Sequence, residues 1–203
     1  MSVHNTHKNR FLLILQINLV VFIGELLVAL YSGSLTMLSD SLHVSIHIVA
    51  PFLAYISEYE FGGISGKSIK KWTAGINIIL FFVLAAGIAY EARERLSLPP
   101  QLRLGPTFFV VAILGLVANI YSANILHNIE DDECEQNVKP LFWHMVFDSA
   151  GSVIVIVGAV LMYVTHLFIL DPILSFILAG LISVGAIFMF RNLILDNNHG
   201  HHH

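Results

Sequence analysis

The chain has 203 residues, 56% of them apolar and 12% charged, with a mean hydropathy of +0.77. That balance excludes an ordinary water-soluble domain and identifies an integral membrane protein. The formal charge of −4, with ten Lys and Arg spread over segment ends, gives no basis for nucleic-acid binding, and the single cysteine, Cys134, cannot form an intrachain disulfide.

A hydrocarbon layer about 30 Å thick needs roughly 20 helical residues, and six stretches of that order follow one another. Residues 1–10 are polar and lead into Phe11 to Tyr31, which lacks a small-residue cleavage site and is long for a signal-peptide core. It is expected to be a retained first span. Ser32, Gly33 and Ser34 turn the chain into the second span, Leu35 to Tyr55, and a longer loop, Ile56 to Lys71, leads to the third, Trp72 to Tyr90. Leu98 to Pro106 joins that to Thr107–Leu126, His127 to Pro140 leads to Leu141–Val164, and Thr165 to Leu167 turns into Phe168–Phe190. Continuous apolar runs select helices, because barrel strands would alternate with period two and be about half as long. The expected fold is all-α: a polytopic six-helix membrane domain over residues 11–191, followed by a short tail, 192–203. Lys8, Arg10, Lys67, Lys70, Lys71, Lys139 and Arg191 would share one side and Arg93, Arg95 and Arg103 the other, which places both termini in the cytoplasm.

Ionisable groups inside spans cost on the order of 2.5–3.5 kcal/mol at mid-membrane, so they mark an interior or an aqueous cavity. The second span carries Asp40, His43 and His47, and the fifth carries His144 and Asp148. His43 with His47, and His144 with Asp148, are each four apart and so share a helix face. Two such pairs supply four nitrogen and oxygen donors, a set suited to a tetrahedral divalent ion held at about 2.0–2.2 Å. The spans lack thiolates, which argues against copper(I) or an iron–sulfur cluster. A single intramembrane His would read as a helix-to-helix hydrogen bond; two spaced pairs favour a metal site. Asn18, Asn77, Asn119 and Asn124 are expected to bridge helices, and Ile129 to Asn137 reads as a solvated acidic loop. Gly66, Lys67 and Ser68 do not make a phosphate-binding loop, because its first glycine would fall on Phe61.

Several stretches carry a resemblance. SGSLTMLSDSLHVSIH resembles the second helix of the cation diffusion facilitators, the family of zinc transporters and cation-efflux proteins, and FWHMVFDSAGSVIVIVGAVLM resembles the fifth. YEARERLSLPP, GLVANIYSANIL and DPILSFILAGLI are similar to parts of the third, fourth and sixth, so the likeness runs from residue 10 to about 195. The resemblance implies a secondary transporter with no catalytic residues. It would export Zn²⁺, or Co²⁺, Cd²⁺ or Ni²⁺, as transported substrate in exchange for protons, by alternating access, and in a bacterium it would sit in the plasma membrane.

Carried over residue by residue, the metal site falls on His43, His47, His144 and Asp148, and Glu25 matches an acidic residue of the first helix. Glu25 and Asp40 are expected to supply compensating charge behind the ligands, Asp40 either orienting a ligand His or serving helix packing. The sequence departs from the family at His47, where many members have an acid. It departs again after the sixth helix, where most members carry a cytoplasmic metal-binding domain and this sequence reads LDNNHGHHH, equally legible as an appended tail. A dimer held by that domain is therefore not assumed, and a homodimer, if formed, is expected through the membrane domain. A non-transporting metal sensor or accessory subunit stands as the alternative. A membrane di-iron desaturase or hydroxylase fits less well, since it needs about eight His at one membrane face and only His43, His47 and His144 lie deep in spans.

Overall fold

The computed structural model describes residues 3–58, 66–127 and 135–199, with side chains described for 12–46, 75–125, 146 and 148–191. Among these residues there are six helices and no strand: α1 (Val3–Ser32), α2 (Leu35–Glu58), α3 (Gly66–Ser97), α4 (Pro106–His127), α5 (Glu135–Thr165) and α6 (Leu170–His199). At 1.5 Å per residue, helices of 22 to 32 residues run about 33–48 Å and exceed the hydrocarbon thickness. Five of them contain a stretch long and apolar enough to cross a membrane. The sixth, α2, passes beyond the described side chains after Ile46.

The helices outrun the apolar segments at several ends. α3 continues from Tyr90 to Ser97, where the Arg95 Nε to Glu91 Oε1 bond of 2.9 Å spans one helical turn. The two loops expected to be long are shortened because α2, α3 and α5 extend into them. α6 likewise runs on to His199, through most of the segment expected to form a tail.

Local chemistry fixes the turns. α1 ends at Gly33, whose φ of 76° lets its N–H reach the Ala29 carbonyl at 2.9 Å. Ser34 then opens α2, its hydroxyl accepting the Met37 N–H at 3.3 Å. Pro106, whose missing N–H costs nothing at a helix start, opens α4. α5 closes on His166, the one non-glycine residue at positive φ (56°) among those described, its N–H returning to the Met162 carbonyl.

α2 is the centre of the bundle, packing on α1, α3, α5 and α6, while α4 packs on α1 and α5, and α3 on α6. Two apolar clusters flank it. One joins Ala29, Met37, Phe108, Ala112, Val155, Ala159 and Leu178; the other joins Ile46, Phe81, Ala85, Ile88, Ala179, Ile182 and Ala186. Large apolar side chains such as Val20, Val83, Val164 and Phe188 remain exposed on the outside, as a lipid-facing surface requires. The interior is instead polar in places: Asn18, Glu25, Asp40, Asn77, Asn119, Asp148 and Asp171 are all buried. This inversion of the soluble pattern gathers the ionisable groups around α2.

Candidate metal centre

The second and fifth helices bring together one residue from each expected ligand pair. His43 Nε2 of α2 lies 2.9 Å from Asp148 Oδ1 of α5, although 105 residues separate them. The Asp148 side chain is 3% exposed and that of His43 17%, so the carboxylate is sealed and the imidazole is partly buried. The His43 ring also packs on Phe81 of α3, with centroids 5.5 Å apart and planes inclined at 49°. One imidazole is thus held between a carboxylate and an aromatic wall.

His47 and His144 lie outside the residues whose side chains are described. They belong to α2 and α5, one helical turn from His43 and Asp148 respectively. Among the described residues, no three His, Cys, Asp or Glu side chains make a metal-sized cluster.

Asp40 is buried, 6% exposed, one turn before His43, and its Oδ2 accepts the Ser152 hydroxyl at 3.2 Å. Ser152 in turn accepts an N–H from Asn119 at 3.2 Å, so α4, α5 and α2 are linked through Asn119, Ser152 and Asp40. The Ser152 hydroxyl also lies 3.3 Å from the Asp148 carbonyl, one turn back on its own helix. Asp40 is thus tied to α5 through the Ser152 hydroxyl. Gly151 makes room for it: a Cβ at that position would stand 3.0 Å from Asp40 Oδ1.

Glu25 of α1 is 2% exposed, and its Oε2 has no hydrogen-bond partner among the described residues. Its carboxylate packs against Gly115 of α4, where a Cβ would collide with Oε1. It lies within electrostatic reach of Asp40 and Asp148, so the three acids and His43 form one cluster of ionisable groups in the interior.

Two participants escaped the sequence. Ser152 sits four residues after Asp148, and that spacing places it on the same face of α5. Phe81 is one of 14 phenylalanines and carries no local signal.

Residues 67–196 match the family model for the cation efflux transmembrane domain. The chain is 29% identical over 191 residues to the probable zinc transporter MSC2 of Saccharomyces cerevisiae, covering 88% of this chain and 26% of that one. It is 27% identical over 192 residues to zinc transporter ZitB of Yersinia pestis, covering 90% and 60%. It is also 27% identical over 190 residues to a cadmium, cobalt and zinc/H⁺-K⁺ antiporter of Bacillus subtilis, covering 88% and 61%. The chain spans from a quarter to three fifths of the length of these curated relatives. With six helices in the expected order and a family match over most of its length, this multi-pass membrane protein belongs to the cation efflux family.

Proposed function

We propose that the protein exports a divalent metal cation, zinc foremost and cadmium or cobalt next, in exchange for protons by alternating access. The ion is held by His43, His47, His144 and Asp148. The observation that carries this reading is the 2.9 Å approach of His43 Nε2 to Asp148 Oδ1 across α2 and α5. It brings the second and fifth helices together at donor atoms, and the two i,i+4 pairs then supply four donors between them. Two donor atoms of a tetrahedral zinc stand about 3.3 Å apart, so replacing the shared proton by the ion asks the pair to part by only about 0.4 Å.

Charge arithmetic supports the exchange. Three neutral His and one ionised Asp carry −1, and either one divalent ion or two protons bring the site to +1. Swapping them leaves the site's charge unchanged, which avoids a large penalty where the dielectric is low. Proton and metal compete for the same lone pairs, so an acidic side favours release and a neutral side favours capture. The antiporter named among the relatives couples such ions to protons. Nitrogen-rich ligation leans toward zinc, with cobalt and nickel plausible and manganese less so. Turnover is the passage of an ion, with no covalent step.

Purified protein in liposomes provides the test. An imposed pH gradient should drive zinc uptake, reversing the gradient should reverse the flux, and His144→Ala should abolish it. Zinc binding without flux under either gradient would support the sensor or accessory reading instead.

A further inference from the structure

Asn77 of α3 is a buried amide whose carbonyl oxygen has no hydrogen-bond partner among the described residues. The residue is 6% exposed, and Oδ1 is enclosed. Buried side-chain oxygens are nearly always satisfied, so an orphan calls for an explanation.

Its position supplies one. α2 and α3 are packed neighbours crossing the membrane in opposite directions, and their register is set where the Phe81 ring meets the His43 ring. From that contact, four residues back along α3 reach Asn77, and four residues forward along α2 reach His47. Both steps cover about 6 Å in the same direction along the bundle and return to the same helix face. Asn77 therefore stands at the depth of His47, on the face of α3 that meets α2.

We infer that Asn77 is a positioning residue for the metal centre: its carbonyl oxygen accepts the ring N–H of His47 when the other ring nitrogen of His47 holds the ion. A neutral imidazole donates from one nitrogen while the other carries a lone pair, and a ligating His is oriented by the acceptor that takes its remaining N–H. An amide does this without adding charge. A carboxylate there would place one more buried negative charge beside the four ligands. The inference rests on reading His47 as a ligand.

The test measures zinc affinity by calorimetry on the full chain in detergent, with thermal unfolding of the metal-free protein alongside. Leu matches Asn in shape but removes the acceptor. Asn77→Leu should weaken zinc binding about 10–100-fold while unfolding at no lower a temperature, and Asn77→Asp, which keeps an acceptor oxygen, should restore the affinity. In a His47→Ala background, Asn77→Leu should cost nothing more. The inference is overturned if Asn77→Leu binds zinc as tightly as the parent, if Asn77→Asp is as damaged as Asn77→Leu, or if the loss persists undiminished with His47→Ala. Unchanged zinc binding in His47→Ala alone would defeat the ligand reading itself, and the inference with it.

Discussion

The Asp171 carboxylate of α6 accepts the backbone N–H of Leu35 at 2.8 Å, so the helix that carries half of the proposed metal site is capped by another span. The same carboxylate accepts the Thr36 N–H at 3.1 Å and the Ser34 hydroxyl at 2.6 Å, and the Thr36 hydroxyl returns a bond to the Asp171 carbonyl. A negative charge at a helix N-terminus is favourable, and here it is wholly buried. Arg95 of α3 completes the corner, donating to the Gly33 carbonyl at 2.6 Å and lying 3.7 Å from Asp171 Oδ2.

Asp171→Asn turns part of that acceptor into a donor facing backbone donors. The expected cost is about 2–3 kcal/mol, the scale of hydrogen bonds to a charged group, seen as a lower unfolding temperature in detergent. Glu91→Gln touches only the half-exposed partner of Arg95 and should change stability by less than about 0.5 kcal/mol. A melting temperature for Asp171→Asn equal to the parent's would remove the cap from the account.

Ser152 is the hinge of the polar link behind the site. Ser152→Ala leaves Asp40 Oδ2 without this donor and Asn119 without this acceptor. Loss of about 1–3 kcal/mol in stability is expected, together with a weaker zinc affinity, because α5 also carries Asp148. Ser152→Thr keeps the hydroxyl and should retain most of both. Equal behaviour of the two variants would show that the hydroxyl has no role.

How far these relationships can be read in the sequence depends on their range. The six helices follow from continuous apolar runs, and the approach of α2 to α5 at His43 and Asp148 fits two polar pairs expected to face each other within lipid. Helix ends are less legible: α3 runs on to Ser97, beyond its apolar part, through a turn that carries the Glu91–Arg95 pair. The Asp171 cap is hidden, since Asp171 reads as the start of a span and its partner lies 136 residues away. Phe81 against His43 is hidden for the same reason, as nothing distinguishes it from its lipid-facing neighbours Phe82 and Val83 except the side of α3 it occupies.

Two nearby glycines give a matched pair of predictions. A methyl at Gly115 would take the place of Glu25 Oε1, so Gly115→Ala must displace a buried carboxylate, whereas a methyl at Gly24 meets only Val111 at an ordinary 3.8 Å. Gly115→Ala is expected to cost about 1–3 kcal/mol, the usual penalty for overpacking, and to reduce proton-driven zinc uptake. Gly24→Ala should be neutral or stabilising, by up to about 1 kcal/mol from helix propensity. Thermal unfolding and liposome flux on both variants check this; a stable, fully active Gly115→Ala would mean that the placement of Glu25 does not matter.

His47 is where this chain departs from the acid expected at the second ligand position of α2, and it makes the proposed site three nitrogens and one carboxylate. His47→Asp takes the empty site from −1 to −2 and the loaded site from +1 to neutral. The added charge should tighten binding of divalent ions in general. The exchange of a nitrogen donor for an oxygen donor should favour the harder ions, because carboxylate suits manganese while imidazole suits zinc, cobalt and nickel. The two effects separate in a competition flux assay: zinc uptake should persist, while the preference for zinc over manganese should fall about tenfold, an order-of-magnitude expectation from ligand softness. Release should also become harder, since a carboxylate takes up a proton only in more acidic solution than an unperturbed imidazole, whose pKa is near 6.5, so zinc flux in the variant should demand a steeper acid gradient. If the variant keeps the parent's ion preference and gradient dependence, position 47 does not contact the ion, and the four-ligand assignment loses its α2 pair.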